Sequence, residues 1–163
     1  YEPVFGHGRS ATTDRAPGFA AHLVEVEVDP ETGDVDVVRY VAVQDVGRAI
    51  NPMVVEGQLH GGAAQCIGWA LRESMIYDES GNLLTGTLMD YALPRADDLP
   101  MFQMTQAPTE SPNSLLGVKG VGEVSSIGAP GAITNAVHDA LAGRARHLDI
   151  PLTPLKIWQA ING

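Results

Sequence analysis

Two strand-forming runs joined by six turn-forming residues constrain this chain more than any other feature. Residues 22–28 alternate, with Val24, Val26 and Val28 on one face and Glu25 and Glu27 on the other, the period-two pattern of a half-buried strand. Asp29-Pro30-Glu31-Thr32-Gly33-Asp34 follows, where proline fixes φ and glycine permits a positive one. Residues 35–46 are a second run rich in β-branched side chains. Together they predict a β-hairpin.

The rest of the chain alternates between helical and broken stretches. Asn51-Pro52 has the chemistry of a helix start, an Asn cap followed by proline where the missing N–H costs nothing. Val54, Leu59, Ala63, Ile67, Ala70 and Leu71 then recur at three- and four-residue spacings through residues 53–72. Gly57, Gly61, Gly62 and Gly68 interrupt that helix. Each costs about 1 kcal/mol relative to alanine, so the close approach of another backbone or a ligand is expected to offset them. Residues 75–84 predict a short second hairpin around Asp78-Glu79-Ser80-Gly81-Asn82. Four prolines break residues 94–112 into short strand and loop pieces around Met101 to Thr105. A glycine-rich loop at 117–123 leads to a helix of small residues at 129–141, a short segment at 146–150 and a proline-opened helix at 154–161. With residues 1–19 as an irregular leading segment, the expectation is a single α+β unit over 1–163, β-hairpins packed with helices, without an internal repeat.

Composition narrows the function classes. The hydrophobic fraction of 44% and the charged fraction of 18% belong to a folded domain. Twenty acidic against ten basic residues give a net charge of −10, which repels phosphate backbones and argues against nucleic-acid binding. Cys66 is the only cysteine, so neither an internal disulfide nor a cysteine-based zinc site is expected, and a reduced, cytoplasmic setting is favoured. No apolar run approaches the roughly 20 residues of a membrane span, and no signal peptide is visible. The chain opens at Tyr1 without an initiator methionine, as a processed product, a cloned fragment or a piece of a larger chain would.

Two segments have the composition of a site. In Gly57-Gln58-Leu59-His60-Gly61-Gly62-Ala63-Ala64-Gln65-Cys66 the glycines let something large lie against a helix, and Gln58 or Gln65 could both donate and accept toward it. A tight helix–helix contact explains the same glycines. In Gly117-Val118-Lys119-Gly120-Val121-Gly122-Glu123 a flexible loop poor in side chains precedes a helix, where backbone N–H groups can hold an anion. The order of residues fits neither a P-loop nor a dinucleotide fingerprint. Glu123 on that loop can approach a reactive centre closely and act as a general base; equally, it can serve as an acid at the start of the next helix. His7, His22, His60, His138 and His147 show no metal-ligand spacing. His60 could touch a bound cofactor or simply pack, and Cys66 reads as a buried inert thiol.

Taken together, four stretches resemble the large subunits of molybdenum hydroxylases, a family that includes xanthine dehydrogenases, aldehyde oxidoreductases and aerobic carbon monoxide dehydrogenases. They are Gln44-Asp45-Val46-Gly47-Arg48-Ala49-Ile50-Asn51-Pro52, the glycine-interrupted helix from Glu56 to Gln65, the loop ending at Glu123, and Ile127-Gly128-Ala129-Pro130-Gly131-Ala132-Ile133-Thr134-Asn135-Ala136-Val137 with Arg146-His147-Leu148-Asp149-Ile150-Pro151-Leu152-Thr153-Pro154. The last of these looks most like the carbon monoxide dehydrogenase branch.

The resemblance implies that the fold is part of a molybdopterin-binding domain, and that the chain is about the last fifth of a catalytic subunit. Glu123 would deprotonate the oxygen nucleophile, with molybdenum carrying the redox chemistry of an oxidative hydroxylation that uses water. The substrate would be an aldehyde, an N-heterocycle or carbon monoxide. Gln65 would hydrogen-bond the molybdopterin, and Gly120, Val121, Gly122, Ser125, Ser126 and Ile127 would approach the pterin or the tail of its cytosine dinucleotide form. No side chain of this chain would ligate the metal. Cys66 departs from the family's usual glycine after that glutamine. The implied partners are the remainder of the large subunit and subunits carrying iron–sulfur clusters and FAD, in an oligomeric complex. The isolated piece is expected to be inactive. Outside that resemblance, a non-catalytic binding or assembly module of the same fold, or unrelated acid–base chemistry at Glu123, would use the same residues.

Overall fold

A computed structural model describes residues 4–9, 14–144 and 147–163. Part of the leading segment (residues 1–3 and 10–13), and Arg146 at the start of the short segment before Ile150, lie outside the described residues. Strands β1 (Phe19–Val28) and β2 (Val35–Asp45) form the expected antiparallel hairpin. Its turn is closed locally: the Asp29 N–H donates to the Asp34 carbonyl at 2.9 Å, and the Asp29 carboxylate accepts from the Glu31 N–H and the Thr32 hydroxyl. The pairing slips by one residue between Glu25 and Val26, leaving Val38 without a partner. This bulge changes which parity of β2 faces inward, from Val35 and Val37 before it to Tyr40, Ala42 and Gln44 after it, as a single inserted residue must.

The third strand, β3 (Phe102–Gln106), pairs with β2 in parallel, giving the order β1-β2-β3. A parallel neighbour needs a long crossover, and residues 46–101 supply it around helix α1 (Pro52–Leu71). Asn51 caps α1 as expected, its side-chain oxygen accepting from the Val54 N–H at 3.3 Å. Val55, Leu59, Ala63, Cys66, Ile67 and Ala70 form the buried stripe of that helix.

The expected second hairpin does not form strands. Only one isolated bridge, Tyr77 with Leu83, connects its arms. The Asp78 carboxylate gathers the N–H groups of Ser80 and Asn82 and the Asn82 amide, so the turn closes. Its flanks Met75, Ile76, Tyr77 and Leu84 stay exposed, and a two-stranded ladder without a third strand or a covering face is marginal. The fold is therefore one hairpin extended by a parallel strand, in an α+β unit.

Short helix α2 (Val124–Ile127) follows the glycine loop, α3 (Ala129–Ala140) packs across β1 and α1, and α4 (Pro154–Asn162) closes the chain. The inward face of the sheet and the helices share one core, with Tyr40, Ile67, Ile133, Val137, Leu152 and Ile157 at 0–1% exposure. The C-terminal elements are tied to this core at two points. The Leu152 N–H donates to the Ala70 carbonyl at 2.7 Å, and the start of α4 lies so close to Gly33 that a β-carbon there would collide with the Pro154 carbonyl.

Candidate functional site

The first half of the glycine loop is held rigidly against the segment that follows β2. Gly47 and Val118 form an antiparallel bridge. The Arg48 N–H donates to the Gly117 carbonyl, and the Lys119 N–H to the Val46 carbonyl, each at 3.0 Å. Gly47 has φ +62° with the Gly117 carbonyl against its α-carbon, a conformation and a spacing that a side chain would not tolerate.

Lys119 explains why this half of the loop is fixed. Its ammonium lies 2.6 Å from the Asp45 carboxylate, with the two side chains only 7% and 12% exposed. The other Asp45 oxygen accepts from the N–H groups of Gly47 and Thr109 at 2.9 and 3.0 Å. The Lys119 hydrogen bond, followed by that of Thr109, holds the Asp45 pKa down to about 2. The loop is thus anchored up to Lys119 by contacts with the end of β2 and the segment after it.

Beyond Lys119 the loop turns toward open space. A β-carbon at Gly120 or Gly122 would meet nothing within 4 Å, so among the described residues no neighbour accounts for either glycine. Glu123 ends the loop with its backbone fixed, since its carbonyl accepts from the Ser126 N–H and hydroxyl and from the Ile127 N–H at 3.0–3.2 Å. Its carboxylate is exposed and makes no capping hydrogen bond to α2. Glu123 thus stands as an acid at the start of α2 without a side-chain capping hydrogen bond, and both readings of this residue stay open.

Gly120, Gly122 and Glu123 line an open cleft of about 850 Å³ together with Val124, Ile127 and Gly128. The remaining wall is residues 15–18 of the leading segment and Ala20. Sequence reasoning set the leading segment aside. Gly18 was the available signal: its α-carbon lies so near Val124, the Asp45 carbonyl and the Gly120 carbonyl that a side chain would not fit.

The other expected site residues are distributed around this cleft. Ile127 is 78% exposed and lines it. Val121 turns inward instead, onto the small cluster of Val46, Val55 and Leu59. Ser125 is fully buried, its hydroxyl unpartnered and aimed at Gly62 of α1, where a β-carbon would overlap it. Ser126 is half-buried and spends its hydroxyl on the Glu123 carbonyl. Gln65 is exposed on α1, outside the cleft lining.

Cys66 points the opposite way from Gln65's open surface. Its thiol is buried and donates to the Ser126 carbonyl at 3.4 Å, and burial, reinforced by the charge of Glu73, pushes its pKa up to about 11. The side chain at this position thus joins α1 to α2 without entering the cleft. His60 packs against Phe102, ring centroids 5.5 Å apart and nearly parallel. Two of the helix glycines are explained internally, Gly62 by Ser125 and Gly68 by Glu73 and Pro94, whereas Gly57 and Gly61 face open space.

Among the described residues no group of three or more His, Cys, Asp or Glu side chains could hold a metal ion. What the site offers is a stretch of glycine backbone, a carboxylate with no hydrogen-bond partner among the described residues, and a roomy cleft. Such a surface fits a large organic cofactor that brings its own metal.

The chain is similar in sequence and structure to known proteins. Residues 4–100 match the molybdopterin cofactor-binding domain. The chain is 42% identical over 166 residues to the nicotine 6-hydroxylase large subunit of Paenarthrobacter nicotinovorans, covering 100% of this chain and 20% of that protein. It is 40% identical over 145 residues to the carbon monoxide dehydrogenase large chain of Hydrogenophaga pseudoflava, covering 88% and 18%. The crystal structure of the Cu,Mo-CO dehydrogenase in its carbon monoxide reduced state superimposes with a TM-score of 0.84 at 35% identity, over 88% of this chain and 18% of that one. The chain therefore spans about a fifth of the length of the relatives it matches.

Proposed function

This chain belongs to the molybdopterin cofactor-binding family of the molybdenum hydroxylases, and on that premise we propose that it is the C-terminal portion of such an enzyme's catalytic subunit, with Glu123 as the catalytic base. The observation that carries this reading is the free Glu123 carboxylate on an anchored backbone, facing a cleft whose loop wall lacks β-carbons at Gly120 and Gly122. Glu123 accepts the proton of the oxygen nucleophile derived from water as an aldehyde, an N-heterocycle or carbon monoxide is oxidised. A carboxylate so placed contributes about 10²–10⁴-fold. Gly120, Gly122 and Ile127 hold the cofactor, in its cytosine dinucleotide form, by close approach of backbone and apolar surface. Val121, Ser125 and Ser126 shape that wall from behind, and the Gln65 amide, exposed on α1 outside the cleft lining, would hydrogen-bond the pterin where the cofactor extends beyond the cleft. When bound, the cofactor supplies the two-electron redox chemistry.

The similarity to proteins named as large subunits and large chains supports a place in a multi-subunit complex. The remainder of the subunit supplies the other walls of the cleft, and iron–sulfur and FAD subunits carry the electrons away in a cytoplasmic oligomer. The segment alone holds only part of the cradle and is inactive on its own.

Glu123→Gln in the complete subunit tests the reading. Turnover is expected to fall by about 10²–10⁴-fold while molybdenum and pterin content stay at the parent level. Retained turnover overturns the base assignment, and a parent without molybdenum overturns the reading as a whole.

A further inference from the structure

Behind the cleft lies a histidine that the proposed chemistry does not use. His22, on β1, has its ring between Tyr40 and the turn that joins α2 to α3. Its Nδ1 is 2.9 Å from the Tyr40 hydroxyl, and the two rings meet edge to face with centroids 5.9 Å apart. Tyr40 is fully buried, and burial, with a smaller contribution from the Cys66 thiol, raises its pKa far above the ordinary phenol range. Nδ1 faces the Tyr40 hydroxyl, and the Val124 backbone accepts from a ring N–H on the other side, so the neutral ring is assigned its proton on Nε2, with Nδ1 accepting from Tyr40.

That Nε2–H is buried and turned toward the Val124 backbone, whose hydrogen bond favours a proton on the ring although the contact falls short of full hydrogen-bond geometry. The backbone of Val124 is the polar group beside the ring. On the other side of the turn, a β-carbon added to Gly128 would stand 2.5 Å from His22 Cδ2 and 3.0 Å from Nε2. Val124 and Gly128 both line the cleft, and Val124 is the residue after Glu123. A leucine filling the same space would present no polar edge to that backbone.

We propose that Tyr40 and His22 form the positioning element for Glu123: the Tyr40 hydroxyl orients a neutral imidazole whose Nε2–H edge braces the turn of residues 124–128 from behind the cleft. This rests on the reading of Glu123 as the base. His22 touches neither substrate nor cofactor and acts only through the backbone that carries Glu123. Misplacing a reacting group by a fraction of its productive geometry lowers turnover without weakening ground-state binding to the same degree.

The test uses the complete, cofactor-loaded subunit with Tyr40→Phe, His22→Leu and His22→Gln beside Glu123→Gln. Tyr40→Phe removes only the hydroxyl, and His22→Gln keeps an N–H donor at the far end of the side chain. Tyr40→Phe and His22→Leu are expected to lower kcat roughly tenfold or more, with KM within about twofold and cofactor content unchanged, and His22→Gln is expected to recover most of the loss. Independently of turnover, nitrogen-15 NMR of labelled histidine at pH 7 is expected to find the His22 ring neutral with its proton on Nε2, a preference that Tyr40→Phe abolishes. Unchanged kcat in Tyr40→Phe and His22→Leu beside an inactive Glu123→Gln overturns the positioning role and leaves the base standing. An active Glu123→Gln removes the base itself. A ring charged or protonated on Nδ1 at pH 7, or a loss of cofactor matching the loss of kcat, also overturns the positioning role.

Discussion

Lys119 is a buried cation in a loop where half of the other residues are glycine, and its counter-charge sits 74 positions earlier at Asp45. Asp45→Asn isolates the charge, because an asparagine oxygen can still accept the Gly47 and Thr109 N–H groups. Removing one partner of a buried pair leaves the other uncompensated, so this substitution is expected to cost about 3 kcal/mol in a urea unfolding experiment. Acid should act on the same pair. Because the folded pKa of Asp45, about 2, lies below its ordinary 3.8, the contribution is fully present above that ordinary value. It is lost as pH falls through about 2. The urea midpoint of the parent should therefore fall steeply across that window, and that of Asp45→Asn should fall less. The sequence displayed Lys119 plainly enough to exclude a P-loop. It did not display the partner, since nothing local distinguishes Asp45 from the other acids.

The contact between α1 and α2 is the element-scale feature that sets the height of Glu123 over the core. Ser125 reaches α1 only because Gly62 has no side chain, and Cys66 adds a thiol hydrogen bond one turn later. Gly62→Ala gains up to about 1 kcal/mol of helix propensity but forces a methyl into the Ser125 hydroxyl. Overpacking costs about 1–3 kcal/mol, so a net loss of stability in urea is expected. Ser125→Ala in the same background should recover part of it, because the overlapping atom and an unpartnered buried hydroxyl leave together. The helix glycines were legible as signs of close approach, whereas which of them met a neighbour was not. The same limit applies to the strands. The hairpin of β1 and β2 was legible from alternation and turn chemistry, because both are local. The parallel partner of β2 was not, since residues 102–106 carry no mark of the strand they will join. At residues 75–84 the turn residues behaved as expected, yet the hairpin reduced to a bridge for want of a third strand.

At the scale of the whole molecule one core serves sheet and helices together. Ile133 is fully buried in it, among residues from β2, α1 and the C-terminal segment. Ile133→Ala is expected to cost about 2–5 kcal/mol. In a Trp69→Phe background the loss should appear as one transition, with Trp158 fluorescence on α4 and far-UV circular dichroism moving together; separated transitions would show that α4 unfolds by itself. The outer face of the sheet, with Leu23 and Val43 at 53% and 41% exposure, and the arm carrying Met75, Ile76, Tyr77, Leu88 and Met89 leave apolar surface open. Surface of this kind suits a segment that spans about a fifth of its relatives.

The open glycines and the free Glu123 carboxylate follow from a motif that the sequence carries whole: residue type, order and spacing within seven positions. By itself the sequence therefore determined the hairpin, the capped helix, the family and the residue proposed as base, all of which depend on local pattern. The tertiary structure alone decided that the loop is anchored by Asp45, that residues 15–18 wall the cleft, and that Tyr40 and His22 stand behind Glu123. Each of those joins residues from distant parts of the chain, and their meeting is set by how the sheet and helices bury a shared core rather than by any local preference.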